Sequence, residues 1–123
     1  MTMPEADTLL AANAVRVFSE ADAGRRRAAL ADLWAADGIL YEEGHVVEGI
    51  DAISRSVGDL LASLPPGTRF EPDGPAVAHN GVGRLRWQAV GADGEPAPVT
   101  GTDVAFFENG KIARLYVFLD PAV

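Results

Sequence analysis

The feature of the sequence that most restricts its fold is a change of pattern at Pro65-Pro66-Gly67. Before this breaker, apolar residues recur every three or four positions, as on one face of an amphipathic helix. After it, short apolar runs are separated by dipeptides that favour hairpin turns because they tolerate positive φ: Asn80-Gly81, Asp93-Gly94 and Asn109-Gly110. Helices followed by a strand meander predict an α+β fold, with the helices on one face of an antiparallel sheet.

Three helices are predicted in the first half of the chain. The first covers about residues 3–20. The second begins after Asp22 and ends at Gly38, and a short strand follows over residues 39–42. The third is the clearest, because its apolar residues fall at spacings of three and four over residues 50–64.

The second half of the chain is predicted to form strands over about residues 68–79, 83–91, 98–107 and 111–119. One of these strands has a clear apolar face, formed by Leu85, Trp87 and Ala89. Long strands joined by hairpins favour a strongly curved sheet, and three helices over its concave face leave room for a pocket. With no internal repeat and no linker, residues 1–123 are predicted to form a single domain.

The composition makes several functional classes improbable. A formal net charge of -8 makes nucleic acid and anionic membranes poor partners. The chain has no cysteine, and neither His45 nor His79 has a partner at metal-ligand spacing, so we expect no metal site. The sequence contains no cofactor-binding motif, and we expect no cofactor. Without a secretion signal or an apolar run of roughly 20 residues, the chain is predicted to be cytoplasmic.

Asp103 is the first candidate for chemistry, because it lies in residues 99–107, a stretch with no other charged side chain. A carboxylate on a central strand is costly to bury unless it is paired or protonated. Burial would raise its pKa and could make it a neutral hydrogen-bond donor. The alternative is an aspartate at the rim of the sheet, paired with Arg84 or Arg86.

Glu42 is the second candidate. It ends the short strand after the second helix, where an acid facing a cavity could act as a general base if burial raised its pKa. The simpler interpretation from the residues alone is that Glu42, Glu43 and Gly44 form a solvated turn. Phe18 and Trp34 are expected in the core, although in a fold with a cavity the core residues can also form the pocket wall.

Two stretches of the chain have a recognisable order of residues. One is Trp34-Ala-Ala-Asp-Gly-Ile-Leu-Tyr-Glu42 followed by Glu48-Gly-Ile-Asp-Ala-Ile53; the other runs from His79-Asn-Gly through Asp103-Val to Glu108-Asn-Gly-Lys-Ile112. Together they resemble ketosteroid isomerase and the wider SnoaL-like and nuclear-transport-factor-2-like domains, from about residue 28 to the C-terminus. The resemblance implies a cone-shaped, cystatin-like fold with an apolar pocket. It also implies a homodimer formed through the outer face of the sheet.

The resemblance implies roles for individual residues as well. In ketosteroid isomerase an aspartate moves a proton between two carbons of a steroid enone, while a protonated aspartate and a tyrosine hydrogen-bond the dienolate oxygen. Glu42 matches the base and Asp103 the protonated aspartate. Phe18 takes the place of the tyrosine, and Val57 that of a supporting tyrosine. The implied substrate-binding residues are Phe18, Trp34, Leu40, Val57, Trp87, Ala89, Leu115, Val117 and Leu119.

Three hypotheses about function follow. The first is a proton-transfer enzyme of the isomerase or cyclase type, in which Glu42 and Asp103 act on an apolar steroid-like or polyketide-like molecule. The second is an epoxide hydrolase or dehydratase of the same fold. Epoxide hydrolases of this fold need an Asp–Arg–Asp arrangement; Arg84, Arg86 and Asp103 could supply part of it, but Val117 occupies the strand position of the second aspartate. The third is a non-catalytic ligand-binding or dimerisation domain, which a pocket without a void beside Asp103 would favour.

Overall fold

The computed structural model describes residues 1–121 and has the predicted order, helices first and then a curved sheet. Residues 1–121 contain three α-helices, α1 (Met3–Ala12), α2 (Ala23–Leu33) and α3 (Ile50–Ala62), and α1 continues into a π-helical segment (Asn13–Val17). The strands are β1 (Trp34–Glu42), β2 (His45–Glu48), β3 (Arg69–Pro72), β4 (Val77–His79), β5 (Val82–Val90), β6 (Pro96–Glu108) and β7 (Lys111–Leu119). The prediction of an α+β fold is confirmed.

The start of each of the first two helices is fixed by a side-chain cap. The Thr2 hydroxyl accepts a hydrogen bond from the backbone N–H of Glu5 (3.2 Å), and the Asp22 carboxylate accepts one from that of Arg25 (2.8 Å). Each cap satisfies a backbone donor that has no partner inside its helix. The described chain, residues 1–121, contains no helix that is both long and apolar enough to cross a membrane.

The predicted end of α2 at Gly38 is wrong, because the chain becomes extended at Trp34 and Gly38 lies inside β1. A side chain at position 38 would place its Cβ atom 2.7 Å from Cε3 of the Trp34 ring. Glycine is therefore required here for the close approach of the indole, and it does not terminate the helix.

Two strand predictions also need correction. The segment around His45, left outside the predicted helices and strands, forms strand β2, which pairs with β1 across a tight turn that contains Gly44 at a φ of 73°. The single strand predicted over residues 68–79 is divided into β3 and β4. Both strands pair with β5, so the interruption changes the path of this sheet edge without ending the pairing.

The sheet has the order β2-β1-β7-β6-β5-β3, with β4 also paired to β5. The pairing of β1 with β7 is parallel, whereas every other pair is antiparallel. The expectation of a wholly antiparallel sheet is therefore wrong at this one pair. Because β1 and β7 are not joined by a hairpin, no turn dictates their relative direction.

The helices cover one face of the sheet and share one apolar core with it. Core residues that are at most 1% exposed come from both layers: Leu10, Leu30, Ile53, Leu85, Ile112 and Leu115. Outside this core, towards the end of α3 and the long strands β5, β6 and β7, the two layers leave space between them. That space contains the candidate site.

Candidate functional site

A cavity of about 380 Å³ lies between the helices and the sheet. Its volume is within the range of small-molecule binding sites. The wall is mainly apolar and includes Ala14, Phe18, Leu60, Leu64, Phe70, Ala89, Ala97, Val117 and Leu119. Two side chains that can ionise at physiological pH, Glu42 and Asp103, line the same cavity, and no arginine, lysine or histidine of residues 1–121 does so.

Asp103 lies on β6 with its side chain directed into this cavity and is only 4% exposed. Its cross-strand partners are both apolar, Leu85 on β5 and Val117 on β7. The indole N–H of Trp87 donates a hydrogen bond of 2.9 Å to Oδ1 of the Asp103 carboxyl.

The apolar surroundings of Asp103 change its acidity. Burial raises its pKa from 3.8 to about 7, because the charged form loses its hydration. The hydrogen bond from Trp87 stabilises the carboxylate and opposes this rise, while the negative charge of Glu42 adds to it. A substantial fraction of Asp103 is therefore protonated at neutral pH.

The alternative placement of Asp103, at the rim and paired with an arginine, is wrong. Arg84 and Arg86 alternate along β5 with the inward-facing Leu85 and Trp87, so both arginine side chains are exposed on the opposite face. Arg86 pairs instead with Asp120, at 2.8 Å from Nη2 to Oδ2. The arginine that an epoxide hydrolase arrangement needs is therefore absent from the cavity, as far as residues 1–121 are concerned.

Glu42 is the last residue of β1 and faces His45 across the hairpin. Its carboxyl is half-buried and lines the cavity, and this burial raises the pKa of Glu42, with a smaller opposing effect from the charge of His45. Glu43 and Gly44 are exposed. The solvated turn therefore begins one residue after Glu42.

The structure brings together only part of the predicted substrate-binding set. Phe18, Trp87, Ala89, Val117 and Leu119 line the cavity with the two carboxyl groups. The other four, Trp34, Leu40, Val57 and Leu115, are at most 1% exposed and do not contribute to the cavity wall.

These four residues belong to the closed part of the core. Leu40 and Leu115 are register partners on β1 and β7, at the place where α3 packs against β1. The indole N–H of Trp34 donates to the side-chain oxygen of Asn13 (2.8 Å), which directs its ring under the first helix. Strand alternation correctly gives the inward direction of Leu40 and Leu115, but it does not say how far the helices extend over them.

Several wall residues were not predicted as part of the site. Leu60 and Leu64 continue the apolar face of α3 at a spacing of four, so the helical pattern could have identified them. Thr68, Phe70 and the segment 97–99 lie in or near strands whose face could not be assigned without the register.

In chemical terms, the cavity combines a half-buried carboxyl that can accept a proton with a buried carboxyl that can hold one. An apolar wall without a basic side chain among residues 1–121 favours neutral ligands over anions, because a negative charge buried there would lose its hydration without gaining a partner. Among residues 1–121, no group of three or more acidic or histidine side chains is arranged to hold a metal ion.

Comparison with known proteins agrees with this architecture. A family model described as a SnoaL-like domain matches residues 13–115. A proposed isomerase of the SnoaL-like family from Agrobacterium tumefaciens is 26% identical, with a TM-score of 0.87 over 97% of this chain and 100% of that one. A search of curated protein sequences found no match.

Two more distant structures share the fold. A proposed polyketide cyclase from Sinorhizobium meliloti is 21% identical, with a TM-score of 0.68 over 95% of this chain and 99% of that one. A proposed ketosteroid isomerase from Kribbella flavida is 15% identical, with a TM-score of 0.72 over 98% of this chain and 82% of that one. The predicted cystatin-like cone is thereby confirmed. Since the family model covers most of its length, this chain belongs to the SnoaL-like family.

Proposed function

We propose that this protein is a small-molecule enzyme that moves a proton on a neutral, apolar carbonyl compound. Glu42 is the general base, and protonated Asp103 donates a hydrogen bond to the oxygen that gains negative charge. The observation that supports this proposal most strongly is that the two carboxyl groups line one apolar cavity and both have a raised pKa. Related structures described as proposed isomerases and cyclases are consistent with it.

The proposed reaction begins with removal of a proton from the carbon next to the carbonyl group. The Glu42 carboxylate takes this proton, and the electron pair of the C–H bond moves into an enolate. The carbonyl oxygen becomes negative and is stabilised by the hydroxyl of Asp103. In a β,γ-unsaturated ketone this enolate is a conjugated dienolate, and return of the proton from Glu42 to its γ-carbon moves the double bond into conjugation with the carbonyl group, so that no oxidant, reductant or water is consumed.

The substrate class follows from the wall of the cavity. A wall that contains two acids and, among residues 1–121, no basic side chain opposes carboxylate or phosphate ligands, whereas its aromatic and aliphatic residues stabilise an apolar body. The substrate proposed here is therefore an uncharged hydrophobic ketone, such as a steroid or polyketide ketone, small enough for a cavity of about 380 Å³.

The two roles restrict the active pH range. Glu42 must be ionised and Asp103 protonated, and the pKa of Asp103 is raised to about 7. Activity should therefore rise as Glu42 ionises and fall as Asp103 loses its proton, which gives a bell-shaped profile with its alkaline side near 7. Replacement of Asp103 by Asn should remove the alkaline side, because the amide donates a hydrogen bond but does not titrate.

The proposal can be tested with an ultraviolet assay for conversion of a β,γ-unsaturated ketosteroid to its conjugated isomer. We expect turnover by the unmodified protein and a decrease in kcat/KM of about 10²-fold or more in both Glu42→Gln and Asp103→Asn. The matched control is Glu43→Gln, which alters the exposed neighbour of Glu42 and should leave the rate within about twofold.

The outcomes of this assay separate the hypotheses. Turnover that is unchanged in Glu42→Gln would contradict its role as the base. A folded protein that binds the ketone, detected by Trp87 fluorescence, but does not convert it would instead support a non-catalytic binding domain. Phe18 favours this second candidate, since it provides no second hydrogen-bond donor where the related isomerase has a tyrosine. The filled pocket that would favour a non-catalytic domain is not observed, because the cavity is open beside Asp103.

A further inference from the structure

Trp87 contacts the acid of the proposed site directly, although its ring was predicted only as part of the pocket wall. Its Nε1–H donates to Oδ1 of Asp103 at 2.9 Å, and the indole is 5% exposed. Within residues 1–121, this is the only hydrogen bond made by the Asp103 carboxyl, so Oδ2 has no protein partner there.

The orientation of the indole is fixed from two sides. Gly101 is the cross-strand partner of Trp87, and a Cβ atom at position 101 would lie 2.4 Å from Cζ2 of the ring. Only glycine, which has no Cβ atom, leaves this space free for the indole ring. On the other side Phe70 meets it edge to face, with ring centroids 5.3 Å apart at 90°. The N–H group is therefore held towards Asp103 before any ligand enters.

The two oxygens of Asp103 thereby become chemically different. An indole N–H can only donate, so the oxygen it bonds is an acceptor, and in a neutral carboxylic acid the better acceptor is the carbonyl oxygen. We propose that Trp87 is a positioning residue, which keeps Oδ1 as the acceptor and leaves Oδ2 as the oxygen that carries the proton offered to the substrate. This inference rests on the proposed function and specifies which atom of Asp103 acts.

The same hydrogen bond also changes the pH range over which the Asp103 carboxyl stays protonated. Because Trp87 stabilises the carboxylate more than the neutral acid, it lowers the pKa of Asp103 relative to burial alone. Loss of the indole should extend protonation to higher pH but leave the proton free to occupy either oxygen. A residue with only a packing role would not produce this combination.

The first test uses the unmodified protein and a pH titration followed by nitrogen–proton correlation NMR. The chain has two tryptophans, so two indole N–H signals are expected. The Trp87 signal should shift with a midpoint near 7 as Asp103 ionises, and this transition should vanish in Asp103→Asn. The Trp34 signal is the internal control, since its partner is the uncharged Asn13. A Trp87 signal without this transition would overturn the proposal.

The second test measures the Asp103 midpoint by carboxyl-carbon NMR in Trp87→Phe, with Trp34→Phe as the matched control. The midpoint should move upward by about one pH unit in Trp87→Phe and stay in place in Trp34→Phe. The alkaline side of the kcat/KM profile should move with it. An unchanged or lower midpoint would contradict the positioning role, whereas Glu42→Gln and Asp103→Asn in the isomerase assay test the proposed function separately.

Discussion

The Asp103 carboxyl lies between Leu85 and Val117 and has one protein partner, the Trp87 indole. A buried acid can avoid the cost of an unpaired charge in two ways: it can pair with a nearby cation, or it can keep its own proton. The arginines of β5 point to the opposite face, so Asp103 retains a proton up to about pH 7. In the folded state Asp103 therefore keeps its proton at pH values at which the unfolded chain has already released it. As a consequence, the free energy of unfolding depends on the ionisation of Asp103.

This coupling predicts a pH-dependent contribution to the free energy of unfolding. Since the pKa rises from 3.8 to about 7, the stabilisation from protonated Asp103 is fully present below about 3.8 and is lost as the pH rises through 7. Relative to Asp103→Asn, the unmodified protein should therefore lose roughly 4 kcal/mol between about pH 4 and pH 8, at ~1.36 kcal/mol for each unit of pKa difference. Denaturant unfolding at several pH values measures this difference.

Asp120→Asn provides a control of opposite sign. The pKa of Asp120 is lowered by its hydrogen bonds to Arg86 and Thr100, so its contribution is present above its ordinary pKa and is lost as the pH falls. A difference between the unmodified protein and Asp103→Asn that does not change with pH would show that Asp103 ionises normally.

The sequence predicted Asp103 and Glu42 as candidates because each acid adjoins or lies within an apolar stretch. It could not decide between a protonated and a paired Asp103, since that depends on which face of β5 carries Arg84 and Arg86 relative to the cavity. The sequence also could not predict the contact between Asp103 and Trp87, because this contact depends on the strand register that places Trp87 opposite Gly101.

Between elements, Arg26 is the clearest polar link. Arg26 is only 4% exposed. Its guanidinium donates to the backbone oxygens of Ser54 on α3 (3.0 Å) and Glu20 (2.6 Å), and these bonds link α2 to α3 and to the preceding turn. Gly58 leaves room for it, because a Cβ atom there would lie 2.7 Å from Nη2. Buried carbonyl groups that lose such a donor carry the full cost of desolvation.

We expect Arg26→Met to lower the free energy of unfolding by about 2–4 kcal/mol, since the Glu20 carbonyl and the buried Ser54 hydroxyl lose their charged donor while the Ser54 carbonyl keeps only its intrahelical partner. The neighbouring Arg27 provides a matched control, because it is exposed and only forms a surface ion pair with Asp51 at 3.3 Å. Arg27→Met should change stability by no more than about 1 kcal/mol. Equal effects of the two substitutions in denaturant unfolding would contradict the role of Arg26.

The sequence located the helices and most of the strands, because helical periodicity and hairpin dipeptides act over short distances. The end of α2 was predicted wrongly. Gly38 was interpreted as a helix stop, but its lack of a Cβ atom makes room for the Trp34 ring. The sequence pattern also missed β2, although this strand pairs with β1 across a tight hairpin, because the four residues His45–Glu48 are mostly exposed and too few to show a clear strand pattern.

At the scale of the whole molecule, the outer face of the sheet carries an aromatic cluster, which we define as Tyr41, Phe106, Tyr116 and Phe118. The rings of Tyr41 and Tyr116 are stacked with centroids 4.3 Å apart, and Arg114 lies 4.6 Å from the centroid of Phe106. Phe118 is 56% exposed. An aromatic surface of this kind is typical of protein interfaces.

We propose that the chain forms a homodimer through this aromatic cluster, as the family resemblance implies. Phe118→Lys should then convert the dimer to a folded monomer at micromolar concentration, because it places a charge in the buried part of the interface. Val15→Lys, which changes a residue 54% exposed on the helical layer, should not alter the mass. Light scattering measures the mass, and a monomeric unmodified protein would contradict the proposal.

The curved sheet and its covering helices follow from the order of elements, and the family resemblance implies the cone, but neither gives the volume of the cavity or the members of its wall. Leu40 and Leu115 face inward like Val117, yet helix packing closes the space above them and leaves it open beside Asp103. Whether the space is closed or open depends on how the helical layer lies over the sheet. Residue patterns do not encode this placement directly, because the two layers come from distant parts of the chain.

The central claim is that a neutral acid and an ionisable base share this cavity, and carboxyl-carbon NMR of Asp103 tests it most directly. The account predicts a midpoint near 7 in the unmodified protein and a lower midpoint in Glu42→Gln, because the charge of Glu42 raises the pKa of Asp103. A midpoint near the ordinary value of 3.8, unaffected by Glu42→Gln, would show that Asp103 is ionised at neutral pH and cannot act as the donor.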